Sequence, residues 1–298
     1  MTIASPTNRP FLKWLGGKSR VKDLVASSFP DSFDGFHDVF LGGGAVLIHM
    51  LHLAAEGTIR APQRVRACDL NTALVAAFRN VRDHPHELLT ACEELQSRYN
   101  DAPEQRDMYM GARETYNSME DRTSVDASAH FVFLNKTGFR GMYRENKGGN
   151  FNVPFGNYRR VTLLDRTHVL RLAELFRPVV FDCESYSDSL HAVRSNDAVY
   201  LDPPYVPIKN GSFTNYHANG FSEHDHNALF DLVDTLRDRG AHVVLSNAAT
   251  PEVFERFIAN RYYVRRIESS RTIHATNPRS TATEVLVASL RPTLTAAG

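Results

Sequence analysis

The sequence carries no excess of charge of either sign. Its 34 lysines and arginines balance 34 aspartates and glutamates over 298 residues. A uniformly basic surface for nucleic acid is therefore excluded, although local basic patches are not. Hydrophobic runs stay far below the roughly 20 apolar residues of a membrane-spanning helix, and residues 1–10 lack the pattern of a secretion signal. These absences predict a cytoplasmic protein that does not enter a membrane.

Cysteine is scarce as well. The three cysteines, Cys68, Cys92 and Cys183, are odd in number and show no CxxC spacing. Neither a disulfide framework nor a zinc site is indicated, and we expect no metal. Cys68 and Cys183 lie in apolar, strand-like surroundings, which predicts that both are small buried side chains.

Apolar segments typical of β-strands alternate with segments of helical periodicity, which is the pattern of an α/β sheet. The predicted strands are residues 36–40, 64–69, 179–182, 197–201, 241–246 and 284–289. The predicted helices are residues 18–28, 45–56, 72–82, 86–98, 104–119 and 223–239, the last preceded by a capping-box pattern at Ser222 and Asp225. The strand–helix rhythm stops between Asp83 and Arg177. This interruption predicts a discontinuous core, residues 1–80 and 178–298, with an insertion at residues 81–177.

Positive charge is concentrated in the insertion, although the chain as a whole has no net charge. From Lys136 to Arg177 there are nine lysines and arginines against three acidic residues. The segment 131–158 is also rich in glycine and aromatic residues. A surface that faces phosphates is one interpretation, and a solvated basic face is the alternative.

The most informative motif is Asp202-Pro203-Pro204-Tyr205, directly after the predicted strand 197–201. Consecutive prolines hold the motif in an extended, rigid geometry. The Asp202 carboxylate and the Pro203 carbonyl can each accept one proton of a planar amine, while Tyr205 stacks on its ring. The motif predicts methyl transfer to an amino nitrogen, and the alternative is a strand that ends in a proline turn with a solvated acid.

A glycine turn, residues 42–44, separates the first predicted strand from its helix. Glycines there let a nucleotide-like ligand approach the backbone at the carboxyl end of a strand. Asp69 ends the next predicted strand, where an acid commonly binds ribose hydroxyls. A helix N-cap by Asp69 or Asn71 is the alternative interpretation.

Near the amino terminus, the single tryptophan, Trp14, lies between Lys13 and Lys18 around a Gly-Gly turn. A phosphate-binding P-loop is excluded because Leu12 stands where its first glycine is required. The segment suits the carboxylate of a ligand or a DNA phosphate, and an ordinary helix start is the alternative.

Together these motifs resemble the Dam-type DNA adenine-N6 methyltransferases of the D12 class. The matching segments, in the family's order, are residues 11–18, 40–46, 69, 133–144, 151–156 and 202–205. The resemblance implies an α/β fold, a Rossmann-like S-adenosyl-methionine-dependent methyltransferase core with an inserted, mainly helical target-recognition domain carrying a β-hairpin. It also implies S-adenosyl-methionine as methyl donor, double-stranded DNA as partner and substrate, and no obligate protein partner.

The resemblance assigns roles to individual residues. The donor-binding positions are Trp14, Lys18, Asp38, Phe40, Gly42, Gly44, Asp69 and Asp202, and the catalytic ones are Asp202, Pro203 and Tyr205. The DNA-binding positions are Lys13, Phe139, Arg140, Met142, Arg144, Asn152 and Pro154. A base paired in a duplex must be flipped out to react, so we expect Phe139 to fill the gap, supported by Tyr143 or Tyr158. The alternative is that these aromatic residues, the two tyrosines above all, belong to the core of the hairpin.

The chain departs from the family at several positions. Asp38-Val39-Phe40 stands where the family usually has Glu-Pro-Phe. Arg144 and Pro154 match base-contacting residues of members specific for GATC, whereas Arg140 and Met142 replace asparagine and leucine. The matches at Arg144 and Pro154 make GATC the favoured target. Two alternatives stay open: methyl transfer to RNA or a protein amide, and a catalytically impaired DNA-binding homologue. The polar stretch 269–280 is predicted as either a loop over the DNA or a hairpin connection.

Overall fold

The computed structural model describes residues 8–207, 221–270 and 281–291. A mixed, seven-stranded sheet lies at its centre, with the strand order β3-β2-β1-β4-β5-β7-β6. The strands are β1 (Gly35–Asp38), β2 (Arg64–Cys68), β3 (Val179–Asp182), β4 (Ala198–Leu201), β5 (His242–Ala248), β6 (Tyr263–Ser270) and β7 (Thr281–Ala288). Strands β1 to β5 are parallel, and β7 is antiparallel to both of its neighbours.

Helices cover both faces of the sheet. They are α1 (Lys22–Ala26), α2 (Ala45–Ala55), α3 (Thr72–Asp83), α4 (Pro85–Asp101), α5 (Gln105–Ser118), α6 (Val125–Thr137), α7 (Arg166–Phe176), α8 (Tyr186–Leu190), α9 (Glu223–Asp238) and α10 (Pro251–Ala259). Alternate strand residues point to opposite faces. Tyr200 therefore packs in the core below α2, α3 and α7, while Leu201 joins the core below α8 to α10. Within the described ranges, no helix is long and apolar enough to span a membrane.

The segment between β2 and β3 contributes helices α3 to α7 and an irregular hairpin. Helix α6 packs against α3, α4 and α5, so the apolar core of the sheet continues into the insertion. The hairpin runs from Gly138 to Phe155 and is closed by two isolated bridges, Gly138 to Phe155 and Glu145 to Phe151. Its first residues, Phe139–Gly141, form a single 3-10 turn.

The sheet reverses its direction of growth between β1 and β4. From β1 the chain builds outward through β2 and β3, and it then returns to place β4 on the other side of β1. In open α/β sheets, ligands bind outside the carboxyl ends of the strands at such a switch point. Asp38 and Asp202 stand at these two strand ends.

The predicted strands and helices are confirmed in place, with ends that shift by a few residues. The capping box of α9 is present, because Ser222 Oγ accepts the Asp225 amide and Asp225 Oδ2 accepts the Ser222 amide. The helix predicted over residues 18–28 is wrong in length, since turns occupy its start and only α1 is helical. The prediction that Cys183 is buried is also wrong, because Cys183 follows the last residue of the edge strand β3 and is exposed. Most of the polar stretch 269–280 lies outside the described residues.

Candidate active site

The Asp202 carboxylate lies directly beyond β4 and is paired with a lysine from the amino-terminal segment. Lys18 Nζ lies 2.8 Å from Asp202 Oδ2 and donates a second hydrogen bond, of 2.7 Å, to the Gly16 carbonyl. The other carboxylate oxygen, Asp202 Oδ1, is buried and accepts no hydrogen bond from the described residues. Burial raises the pKa of Asp202, and the Lys18 ammonium partly offsets this effect. The site therefore presents one lone-pair acceptor that nothing in the described chain satisfies.

Tyr205 is held at several points around this carboxylate. Its hydroxyl donates a 2.8 Å hydrogen bond to Glu284 Oε2. The Lys18 ammonium lies 5.1 Å above the centroid of its ring. The amide of the next residue, Val206, donates to Asn247 Oδ1 at the end of β5. Burial and the nearby carboxylates raise the pKa of Tyr205, so the hydroxyl stays protonated and acts as a donor.

Asp38, the last residue of β1, adds a further buried carboxylate. Its Oδ1 has no hydrogen-bond partner among the residues that the structure describes. Burial raises the pKa of Asp38 well above its usual range, repulsion from Asp202 adds to this, and the Leu47 amide opposes it. Glu284 in turn raises the pKa of Asp202. Several carboxyl groups therefore meet at the switch point, and a positively charged ligand there would favour their ionised forms.

The glycine turn follows β1 and is fixed by Asp69. Asp69 Oδ2 accepts the Gly42 amide and Oδ1 accepts the Asn71 amide, both at 3.0 Å. The N-cap of α3 is Asn71, whose side chain accepts the Leu74 amide. Gly42 and Gly44 have φ values of 47° and 71°, which favour glycine.

Two aromatic residues border the turn. Trp14 lies on it so closely that a Cβ added at Gly42 would come within 3.0 Å of the indole. Phe40 stacks on Tyr186, with centroids 5.8 Å apart and an interplanar angle of 26°. The ring of Phe221 packs edge-on against Phe40. Trp14 therefore packs directly on the turn, and an aromatic cluster surrounds Phe40 just before it.

The hairpin presents an exposed aromatic tip. The Phe139 side chain is 43% exposed, and the Arg140 guanidinium lies 5.1 Å above its ring. Arg144 is oriented by the opposite side of the hairpin, because its Nε donates to Asn152 Oδ1 at 2.7 Å and a terminal nitrogen donates to the Asn152 carbonyl. Pro154 is exposed and its carbonyl accepts the Phe139 amide.

A basic cleft adjoins the hairpin. Its volume is about 620 Å³, and its lining includes Arg106, Arg113, Pro154, Tyr158 and Arg159. The Lys13 ammonium lies nearby, 4.5 Å above the Tyr158 ring. The cations of the cleft and Lys13 therefore lie beside the hairpin, where they suit contact with a polyanion.

The amino-terminal segment connects the hairpin to the glycine turn. The Asn135 side chain accepts the Lys13 amide at 2.9 Å and donates to the carbonyls of Lys13 and Gly141. The next residue, Trp14, stacks on Tyr143 with centroids 6.1 Å apart and an interplanar angle of 23°. Tyr143 thus belongs to an interior aromatic cluster and not to the exposed tip. The prediction that Tyr143 supports Phe139 is therefore wrong.

The structure brings most of the predicted residues into two groups. The first group, at the switch point, contains Trp14, Lys18, Asp38, Phe40, Gly42, Gly44, Asp69, Asp202, Pro203 and Tyr205. The second group, at the hairpin, contains Lys13, Phe139, Arg140, Met142, Arg144, Asn152 and Pro154. Sequence reasoning missed Asn135, Asn247 and Glu284, which are distant in sequence from the residues they hold. A polar residue at the edge of a predicted strand was the one available signal for Asn247 and Glu284.

Comparison with known proteins identifies the family. The sequence profile of the D12 class N6 adenine-specific DNA methyltransferases matches residues 14–276. The type II methyltransferase M1.LlaDCHI of Lactococcus lactis subsp. cremoris is 28% identical over 94% of each chain. The type II methyltransferase M.MjaIII of Methanocaldococcus jannaschii is 29% identical over 89% of this chain and 93% of the relative. The DNA adenine methylase of Escherichia coli K12 is 30% identical over 88% of this chain and 90% of the relative. With its seven-stranded, mostly parallel sheet, the chain belongs to the D12 class of N6 adenine-specific DNA methyltransferases.

Proposed function

We propose that the protein transfers a methyl group from S-adenosyl-methionine to N6 of an adenine flipped out of double-stranded DNA, with GATC as the favoured site. The observation that carries this proposal is the unsatisfied Asp202 Oδ1 beside an ion-paired Oδ2. A buried acceptor without a partner is costly, and it becomes favourable when a substrate donor reaches it.

The adenine N6 lone pair is delocalised into the ring, which makes the amine a poor nucleophile. Asp202 Oδ1 and the Pro203 carbonyl can each accept one N6 proton and so localise that lone pair on nitrogen. Lys18 keeps Oδ2 occupied and holds the carboxylate in place. Tyr205 then stacks on the base and fixes its plane.

The residues at the switch point fit the proposed donor. When bound, S-adenosyl-methionine supplies an activated methyl group on a positively charged sulfonium. The carboxyl groups that meet here, including Asp38 with its unsatisfied Oδ1, complement this positive charge in their ionised form. The glycine turn allows close backbone approach, and the predicted positions Trp14, Phe40 and Asp69 border or fix it.

For the DNA, we assign residues 1–80 and 178–298 to the catalytic core and residues 81–177 to target recognition. Phe139 fills the gap left by the flipped adenine, and its exposure supports this role. Arg144 reads guanine, because Asn152 holds its guanidinium in one orientation before DNA arrives. Lys13, Arg140, Met142 and Pro154 complete the interface, and the choice of GATC rests on the family resemblance at Arg144 and Pro154.

Radiolabelled donor and unmethylated duplexes test this function. We expect N6-methyladenine in duplexes that contain GATC, and we expect Asp202→Ala to abolish it while DNA affinity changes little. Asp31→Ala, at an exposed aspartate before the amino end of β1, is the matched control. Absence of N6-methyladenine from all duplexes, or preferred labelling of structured RNA or protein extracts, would refute the proposal. Normal methylation by Asp202→Ala would refute the role of Asp202 alone.

A further inference from the structure

The antiparallel strand β7 carries a residue from the far end of the chain to the catalytic motif. Strand β7 runs antiparallel to β5. It therefore begins beside the carboxyl ends of β4 and β5. Glu284 is the fourth residue of β7 and lies opposite Ala248, the last residue of β5. Its Oε2 accepts the Tyr205 hydroxyl at 2.8 Å across 79 positions of sequence.

We propose that Glu284 is a positioning residue for methyl transfer, which holds the ring of Tyr205 in the orientation that receives the target base. The inference rests on the proposed function, in which Tyr205 stacks on that base. A carboxylate is a strong acceptor for a hydroxyl, and a bond to the far end of the ring restrains its rotation.

The surroundings of Tyr205 explain why such a restraint is needed. The backbone before it is stiffened by Pro203 and Pro204, and the Val206 amide after it is tied to Asn247. Neither of these backbone restraints fixes the side-chain torsions. The Lys18 ammonium lies over one ring face, so in the proposed function the base stacks on the other. The bond to Glu284 therefore sets the angle at which that face is presented.

The charge of Glu284 makes the role distinguishable from simple packing. Glu284 raises the pKa of Asp202 by repulsion. A neutral glutamine can still accept the Tyr205 hydroxyl, but it removes that repulsion. Glutamine at this position should therefore preserve the orientation of the ring and move the pH at which Asp202 loses its proton to a lower value.

The experiment compares Glu284→Leu, Glu284→Gln and Tyr205→Phe with the wild-type protein in the duplex methylation assay. We expect Glu284→Leu to lower kcat by about 10- to 100-fold, the effect of losing one buried hydrogen bond, with a small change in KM for DNA. Glu284→Gln should stay within about threefold of wild type and should shift the acidic limb of the kcat–pH profile to lower pH. In the Tyr205→Phe background, Glu284→Leu should cost little more, because the bond is already absent.

Glu268→Leu, at an exposed glutamate on β6, is the matched control and should behave as wild type. If Glu284→Leu is fully active, if Glu284→Gln is as impaired as Glu284→Leu, or if the effects of Glu284→Leu and Tyr205→Phe multiply independently, the inference is wrong. These outcomes leave the proposed function intact, whereas a wild-type protein without methylation would overturn that function and this inference with it.

Discussion

The ion pair between Lys18 and Asp202 predicts a stability signature that can be measured without DNA or donor. The two side chains are only 8% and 19% exposed, so they belong with buried pairs and not with surface pairs, which contribute about 0–1 kcal/mol. Removing one partner of a buried pair leaves an uncompensated charge and costs about 3–5 kcal/mol. We therefore expect Lys18→Met to destabilise the protein by that amount.

The corresponding change in melting temperature follows from the size of the chain. The entropy of unfolding is about 2.1 cal/mol/K per residue near 60 °C, which gives roughly 0.6 kcal/mol/K for 298 residues. Lys18→Met should then lower Tm by about 5–8 °C. The double variant Lys18→Met, Asp202→Asn should recover most of this loss, because neither charge remains to be desolvated.

Differential scanning fluorimetry of the four proteins of this double-mutant cycle provides the measurement. Lys147→Met, at an exposed lysine of the hairpin, is the control and should stay within about ±0.5 kcal/mol of wild type. A Tm of Lys18→Met equal to that of the control would show that the pair is not energetically buried. A double variant that is as unstable as the sum of its single changes would refute the coupling between the two charges.

Four further predictions concern other groups. Asp38→Asn should raise Tm at neutral pH. Burial raises the pKa of Asp38, so the folded protein loses stability as pH rises through that pKa and the carboxyl group ionises, whereas asparagine stays neutral. Calorimetric titration should show weaker donor binding, and an unchanged Tm would contradict the reasoning. Desolvation lowers the pKa of the buried His37, so its contribution to folding stability should be complete above about pH 6.5 and should fall as pH drops below that value. His37→Gln should make Tm less dependent on pH between about 7.5 and 5.5. An unaltered pH dependence would exclude His37 as its cause. Cys183 is exposed directly after β3, and its thiol lies beside the carbonyl of Leu70, two residues beyond the end of β2. A maleimide should therefore label Cys183 alone in the folded protein, and more slowly in the presence of S-adenosyl-homocysteine. Cys183→Ser should abolish labelling, and equal rates with and without the ligand would place the ligand elsewhere. Arg144→Ala should lose about 1–3 kcal/mol of discrimination at a guanine of the site, measured as kcat/KM on duplexes with single base changes; uniform weakening on all duplexes would instead indicate a phosphate contact.

The sequence predicted the features that depend on local pattern. The apolar alternation located the strands, and the Gly42 turn and Asp202 motif follow β1 and β4 as predicted, because strand, turn and helix signals extend over only a few residues. The capping box at Ser222 is equally local, since both of its hydrogen bonds join residues three positions apart.

What escaped prediction depends on tertiary contacts. The partner of Tyr205, Glu284, is supplied by an antiparallel strand whose place in the sheet no local pattern reveals. The charge pairing of Lys18 with Asp202 escaped for the same reason, because these residues are far apart in the sequence and only the tertiary fold brings them together. Tyr143 was predicted as a possible support for Phe139, but its ring packs on Trp14 and Phe131. Burial of such side chains is decided by the insertion's packing and not by its composition.

The position of Trp14 has a thermodynamic consequence. Its indole touches the glycine turn on one side and Tyr143 of the hairpin on the other. If donor binding adjusts the turn, the free energy of that adjustment is shared with the hairpin, and linkage requires that DNA and donor change each other's affinity by the same factor. Coupling of this kind is typically about 1–3 kcal/mol. Because Trp14 is the single tryptophan of the chain, its fluorescence should report the arrival of either ligand and, by titrating one in the presence of the other, the size of the coupling between them.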